Sequence, residues 1–257
     1  MKNLLSCWNK LSRQIKKSPH TFLFFDYDGT LTPIVSRPEK AKCPHTIKFL
    51  IKRLQEDPRF TIAVISGRSL KDVKKMVGIK GITYAGNHGL QIEKPSGRVL
   101  RPKGVSTGYP LKKIKRSLKK RLNHIKGAWI EDKGLTLSVH FRLVDKKKIT
   151  SLKKIFRNTV AAYVLSKKIR VSSGKMVLEV RPGVEWDKGK AVLELLGSKK
   201  GLTLYLGDDV TDMDVFRAIK GKGISIFVGS PRSGIGADYS LKNPKEVELF
   251  LKKLQTV

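Results

Sequence analysis

Acidic residues are scarce in this chain. Of its 257 residues, 21 are Asp or Glu against 54 Lys or Arg, a formal net charge of +33. Cysteine is nearly absent: Cys7 and Cys43 lie in neither a Cys-x-x-Cys nor a zinc spacing, which excludes a disulfide framework. No apolar run approaches the roughly 18 residues a membrane span needs, because charges interrupt each one. Met1 to Lys17 also lacks an apolar core followed by a small-residue cleavage site, so a cytoplasmic protein without a membrane partner is expected. Aromatic residues amount to 7%, and no RNA-binding signature, stacking stripe or zinc knuckle is present. What the chain does have is 40% hydrophobic residues, enough at this length for one large domain or a domain carrying an insert, and too many for a disordered chain.

The charge is unevenly spread. Residues 101–175 hold 22 basic and 3 acidic side chains, whereas the remainder holds 32 and 18. Without a nucleic-acid signature, the excess reads as a lysine-rich solvated surface, so a nucleic-acid partner is not expected. The protein is expected to be a monomer.

From residue 20 short apolar runs alternate with helical stretches: Phe22 to Phe25, Ile47 to Leu54, Ile62 to Ile65, Leu70 to Val77, Ile82 to Ala85. After residue 185 the rhythm returns with Lys188 to Leu196, Leu202 to Leu206, Val215 to Ile219 and Ile224 to Val228. Runs apolar on both faces belong to buried parallel strands, so the two stretches predict one Rossmann-like α/β core with a parallel sheet. Between them, the spacing predicts a basic helix over Leu111 to Leu122, alternating strands at Trp129-Ile130 and Leu135 to Phe141, a helix over Ile149 to Val164 and a strand over Met176 to Val180. This is an inserted α+β domain, 99–182, in a core of 1–98 and 183–257, with junctions in the Pro/Gly-rich stretches Pro95 to Gly108 and Arg181 to Gly183.

The strongest chemical signal is Phe24-Phe-Asp-Tyr-Asp-Gly-Thr-Leu-Thr32. An apolar strand ends at Asp26 and Asp28 follows before a glycine, so both carboxylates fall at the carboxyl end of a parallel strand, where open α/β sheets bind ligands. In Leu206-Gly-Asp-Asp-Val-Thr-Asp212, Asp208, Asp209 and Asp212 crowd one strand-to-helix turn; an all-oxygen cluster of that charge suits Mg²⁺, although Asp209 or Asp212 can also cap the following helix. Ser66 and Gly67 open a helix after a strand and can face an anion, and Lys188 opens another helix, where a cation opposes the dipole unless an anion is near.

Asp26-x-Asp28-Gly-Thr, Ser66, Lys188 and Gly207-Asp-Asp-x-x-Asp212, in that order, resemble the motifs of the haloacid dehalogenase superfamily of phosphohydrolases. The resemblance implies Asp26 as nucleophile forming an aspartyl-phosphate and Asp28 as acid and then base. It also implies Mg²⁺ held by the Asp26 carboxylate, the Asp28 carbonyl and Asp208, with Asp209 and Asp212 close by, while Ser66 and Lys188 neutralise phosphate charge. An insert of this size implies a cap that favours small metabolites.

A closer resemblance, to the trehalose-6-phosphate phosphatases, is carried by Tyr84-Ala-Gly-Asn-His-Gly89, by Trp129 to Arg142 and by Gly174 to Gly183. It implies a sugar phosphate bound by Gly67, Arg68 and His88 in the core and by Glu131, Lys133, His140, Arg142, Lys175, Glu179 and Arg181 in the insert. The chemistry agrees: paired sugar hydroxyls want acceptor carboxylates and cationic donors in a small area, and alternation places Lys175 with Glu179, Glu131 with Lys133, and His140 with Arg142. Two alternatives stay open. One is a phosphatase for sucrose phosphate, glucosylglycerol phosphate or mannosyl-phosphoglycerate; the other is a cationic nucleic-acid-binding protein.

Overall fold

The computed structural model describes residues 1–35, 38–105, 110–174, 176–231 and 233–257. They divide into two compact units, residues 1–101 with 186–257 and residues 102–185.

The larger unit is built on a nine-stranded sheet. Its strands are β1 (Lys2–Asn3), β2 (Thr21–Phe25), β3 (Phe60–Ile65), β4 (Thr83–Gly86), β5 (Gln91–Glu93) and β6 (Val99–Leu100). After the second unit the chain returns as β11 (Leu202–Gly207), β12 (Ile224–Val228) and β13 (Tyr239–Leu241). The order is β1-β13-β12-β11-β2-β3-β4-β5-β6, parallel up to β4 and antiparallel in the last two. β2 is buried at every residue: Leu23 and Phe25 enter one apolar cluster and Phe22 and Phe24 the other. This is why its sequence is a continuous apolar run rather than an alternating one. Helices α1 (Trp8–Lys17), α2 (His45–Glu56), α3 (Leu70–Val77) and α8 (Pro244–Leu254) cover the first face, and α6 (Lys188–Leu196) with α7 (Met213–Ala218) the second. From β2 the chain builds outward through β3 and β4, and from β11 it builds the other way through β12 and β13. The order therefore reverses between β2 and β11, and the carboxyl ends of those strands flank the crevice where such sheets bind ligands.

The smaller unit holds β7 (Trp129–Asp132), β8 (Leu137–His140), β9 (Ile169–Gly174) and β10 (Val177–Pro182), antiparallel in the order β7-β8-β10-β9. Helices α4 (Leu111–Leu122) and α5 (Lys146–Leu165) pack Leu111, Ile114, Leu118, Leu152 and Phe156 against Leu137, Val139 and Val180 on one face of that sheet. Alternation sends Ser138, His140 and Glu179 to the opposite face. β8 is shorter than the Leu135 to Phe141 expected. The Val144 amide turns back to the Phe141 carbonyl at 3.2 Å and Asp145 caps α5, so Arg142 sits exposed in a turn rather than on the strand beside His140.

α4 contains no acidic residue, and Lys112, Lys113, Arg116, Lys119 and Lys120 are exposed on it; its four buried apolar residues hold it down. No described helix is long and apolar enough to cross a membrane. A surface of this kind attracts anions through a field that salt screens. Raising ionic strength from about 0.01 to 0.15 M shortens screening from roughly 30 to 8 Å, so kcat/KM should fall modestly with kcat unchanged. RNA binding that persisted at submicromolar affinity near 0.15 M and competed with substrate would contradict a purely solvated role for these cations.

Candidate active site

β2 delivers Asp26 to the crevice, where the Asp26 amide continues the parallel ladder by donating to the Leu206 carbonyl at 2.8 Å. The next loop passes close to β11. A Cβ on Gly29, which has φ +85°, would lie 2.1 Å from Asp208 Oδ2, so glycine alone admits both the backbone turn and the approach of the carboxylate. Oxygens of Asp26, Asp208 and Asp212 all lie within 4.8 Å of one another.

Lys188, at the first position of α6 and buried, ties two of these together: its Nζ donates to Asp26 Oδ1 at 2.6 Å and to Asp212 Oδ1 at 2.7 Å. Tyr205, also fully buried, donates to Asp212 Oδ1 at 2.6 Å. Asp212 Oδ2 accepts the backbone amides of Asp208 and Asp209 at 3.0 and 2.9 Å. The buried Asp26 carboxyl is pushed well above the usual range by desolvation; Lys188 opposes this, and the Asp212 and Asp208 carboxylates reinforce it. For Lys188, burial alone would favour the neutral amine, but Asp212 and Asp26 outweigh it and hold the ammonium charged. Lys188 pairs with Asp26 and Asp212, and Asp208 adds a third carboxylate to the group. The residues present fit a divalent cation taking hard oxygen ligands, with Asp26, Asp208 and Asp212 as its side-chain donors. Asp209, expected in the same set, is not in this group and instead begins the short turn that ends at Asp212.

Asp28 does not join the acidic group. Its carboxylate receives a bidentate pair from Arg68, Nε to Oδ2 at 2.7 Å and Nη2 to Oδ1 at 2.6 Å. The guanidinium also lies over the Tyr27 ring, 5.4 Å from its centroid, and Tyr27 is fixed through its hydroxyl to the Ala41 carbonyl at 2.6 Å. Ser66 is buried at the end of β3, and its Oγ accepts the Arg68 amide at 3.2 Å. The loop after β4 crosses this one: the Asn87 and His88 amides donate to the Arg68 and Ser66 carbonyls, with both residues at positive φ. A Cβ on Gly67 would fall 2.6 Å from the His88 imidazole, so Gly67 and His88 pack as one contact. Thr30 is fully buried and its Oγ1 has no hydrogen-bond partner among the described residues.

In the smaller unit, Glu179 is buried on the polar face of the sheet and accepts from Lys133 at 3.0 Å, Ser138 at 3.3 Å and Thr136 at 3.5 Å through one oxygen, and from Arg181 at 2.6 Å through the other. Glu131 lies 2.8 Å from His140 Nε2 and 3.9 Å from Lys133 Nζ. The structure thus brings Glu131, Lys133, His140, Glu179 and Arg181 together; Lys175 lies outside the described residues. Sequence reasoning missed Tyr205, Thr136 and Ser138. The alternation that singles out His140 places Ser138 and Thr136 with it, whereas nothing in the sequence points to the buried Tyr205 hydroxyl.

Acid-tipped parallel strands meeting at a switch point, with a lysine from a third element between them, suit a phosphohydrolase, in line with the resemblance of the motifs. The comparisons narrow this. A family profile described as trehalose-phosphatase matches residues 24–245. Trehalose-phosphate phosphatase B of Arabidopsis thaliana is 34% identical over 255 residues, covering 93% of this chain and 67% of that protein. Trehalose 6-phosphate phosphatase RA3 of Zea mays is 33% identical over 93% of this chain and 70% of its own length. Among solved structures, the C-terminal domain of C. albicans trehalose-6-phosphate phosphatase superposes with a TM-score of 0.83 at 25% identity, covering 97% of this chain and 96% of that one. The chain belongs to the trehalose-phosphatase family.

Proposed function

We propose that this chain hydrolyses trehalose 6-phosphate to trehalose and inorganic phosphate through an aspartyl-phosphate, in a Mg²⁺-dependent reaction. The observation that carries the reading is the buried Asp26 at the switch point, fixed by Lys188 and grouped with Asp208 and Asp212, in a member of this family. A bound Mg²⁺ would be held by Asp26, Asp208 and Asp212 and would supply electrostatic stabilisation of phosphoryl charge.

The protein's own groups account for the remainder. An Asp26 carboxylate oxygen attacks phosphorus, and the sugar oxygen leaves with the proton of Asp28. Asp28, now ionised, takes a proton from water, whose oxygen attacks the same phosphorus; phosphate departs and the Asp26 carboxylate is restored. Arg68 occupies both oxygens of Asp28, so Asp28 reaches the leaving oxygen only once that pair opens. Ser66 and Lys188 meet the phosphoryl oxygens. The sugar falls to Glu131, Lys133, Glu179 and Arg181, whose mixed charges match paired hydroxyls, with His88 as a further contact.

Released phosphate, measured across a panel of trehalose 6-phosphate, glucose 6-phosphate, sucrose phosphate, glucosylglycerol phosphate and mannosyl-phosphoglycerate, tests the substrate. Trehalose 6-phosphate should lead glucose 6-phosphate by a factor on the order of a hundred or more in kcat/KM, because the second ring supplies binding energy. Glu179→Ala should erode that lead while sparing an aryl phosphate. Equal efficiency on the two sugar phosphates removes trehalose 6-phosphate as the substrate.

Metal dependence has its own test. Mg²⁺ at about a hundredfold over its dissociation constant should stabilise the fold by about 2.7 kcal/mol, a rise in melting midpoint of several degrees. A chelator should remove both that rise and turnover. An Asp208→Asn variant whose midpoint responds to Mg²⁺ as strongly as the parent would place the ion elsewhere.

A further inference from the structure

The polar face of the four-stranded sheet carries a contact that the proposed chemistry leaves unused. The indole of Trp129 lies flat on the imidazole of His140, ring centroids 4.0 Å apart and planes 8° from parallel. His140 is held in turn by Glu131 at 2.8 Å, Glu131 lies 3.9 Å from Lys133, and Lys133 donates to Glu179 at 3.0 Å. The register pairs Trp129 with His140 and Glu131 with Ser138, so one row of contacts runs across one face from the edge strand inward.

Trp129 is out of place as a packing residue. It remains 42% exposed, whereas Leu137, Val139 and Val180, on the face that meets the helices, are completely buried. Beside carboxylates and cations at the sheet edge, the large apolar surface of an indole gains little from burial in the fold itself. It is nevertheless held rigid, because stacking on a histidine that is itself hydrogen-bonded fixes the ring before anything binds. A pyranose ring presents two kinds of surface: a flat patch of C–H groups and a rim of hydroxyls. The first wants an apolar plate and the second wants acceptors and donors close by. Trp129 and the Glu131–Lys133–Glu179 row supply both on one face.

We propose that Trp129 is a specificity-determining residue whose indole stacks against a pyranose ring of the substrate, the ring that does not carry the phosphate, and that His140 is a positioning residue supporting the indole from behind. This rests on the sugar-phosphate reading above and adds a contact to it. Stacking acts on binding of the sugar and not on phosphoryl transfer, so its loss moves KM rather than kcat.

The test compares Trp129→Ala and Trp129→Phe with the parent on trehalose 6-phosphate and on an aryl phosphate, with melting midpoints recorded. Trp129→Ala should raise KM for trehalose 6-phosphate about five- to tenfold with kcat within about twofold, and leave the aryl phosphate constants unchanged. Trp129→Phe, which keeps a stacking ring, should recover most of the loss. A second measurement needs no stable alanine variant: titrating trehalose into the parent should shift tryptophan emission, and the shift should vanish in Trp129→Phe, where Trp8 and Trp186 remain. An unchanged KM in Trp129→Ala, a phenylalanine variant no better than alanine, or an emission shift that survives in Trp129→Phe would each overturn the inference while the proposed activity stands. If the parent releases no phosphate from trehalose 6-phosphate, the functional reading falls and this inference falls with it.

Discussion

Asparagine in place of Asp26 is expected to lower turnover at least a thousandfold, roughly 4 kcal/mol of transition-state stabilisation, on sugar phosphates and aryl phosphates alike. An amide cannot form the acyl phosphate and is a poor ligand for a hard cation. The fold should survive, because Lys188 keeps Asp212 at 2.7 Å and the substitution removes a carboxyl whose ionisation burial disfavours. Phosphate release with a matched melting midpoint is the measurement, and retention of more than about a hundredth of the parental rate would reassign the nucleophile. Asp28→Asn should behave differently: both half-reactions slow while the response to Mg²⁺ persists, since its carboxylate pairs with Arg68 rather than with the acidic group.

The second large effect concerns Lys188. Replacing it with methionine leaves Asp26 and Asp212 buried without their shared cation, and breaking a buried pair of this kind costs about 3–5 kcal/mol. The linkage has a definite sign for the ion: with the Lys188 ammonium gone, Mg²⁺ carries more of the counter-charge to Asp26 and Asp212, so its addition should raise the melting midpoint of Lys188→Met more than that of the parent. Turnover should drop by about a thousandfold even with Mg²⁺ saturating, because in the proposed mechanism Lys188 supplies positive charge to the phosphoryl oxygens. Equal Mg²⁺ responses in variant and parent, scored by thermal melting, would mean that lysine and metal do not share the same carboxylates.

Much of the fold is legible in the sequence because its elements carry strong periods. α3 over Leu70–Val77, α4 over Leu111–Leu122, α6 over Lys188–Leu196 and β12 over Ile224–Val228 match the apolar spacing residue for residue. The elements that escape have weak patterns. β9 has one buried residue, Ile169, at its start, and its remaining described residues face solvent or are half covered, so it lacks an alternating stripe. β1 and β13 are two and three residues long and exist through pairing with each other and with β12.

The candidate site divides the same way. Asp26, Asp28 and Asp208 stand at strand ends, where position alone marks them. The bidentate pair of Arg68 with Asp28 spans 40 residues and depends on β3 lying beside β2, whereas the pairing of Lys188 with Asp26 spans 162 and depends on the sheet order reversing between β2 and β11. Arg142 shows the opposite case: the alternating pattern runs two residues beyond His140, but the turn that Val144 closes ends the strand first.

Transfer of the phosphoryl group from trehalose 6-phosphate to Asp26 leaves a covalent enzyme that can be trapped. Protein acid-quenched during turnover of trehalose 6-phosphate and then reduced with borohydride converts an aspartyl-phosphate to homoserine, which peptide mass spectrometry locates. Homoserine is expected at position 26 in the presence of Mg²⁺, and none when substrate is omitted or Asp26 is asparagine. Homoserine at another aspartate, or phosphate released steadily from trehalose 6-phosphate by the Asp26→Asn protein, would contradict it.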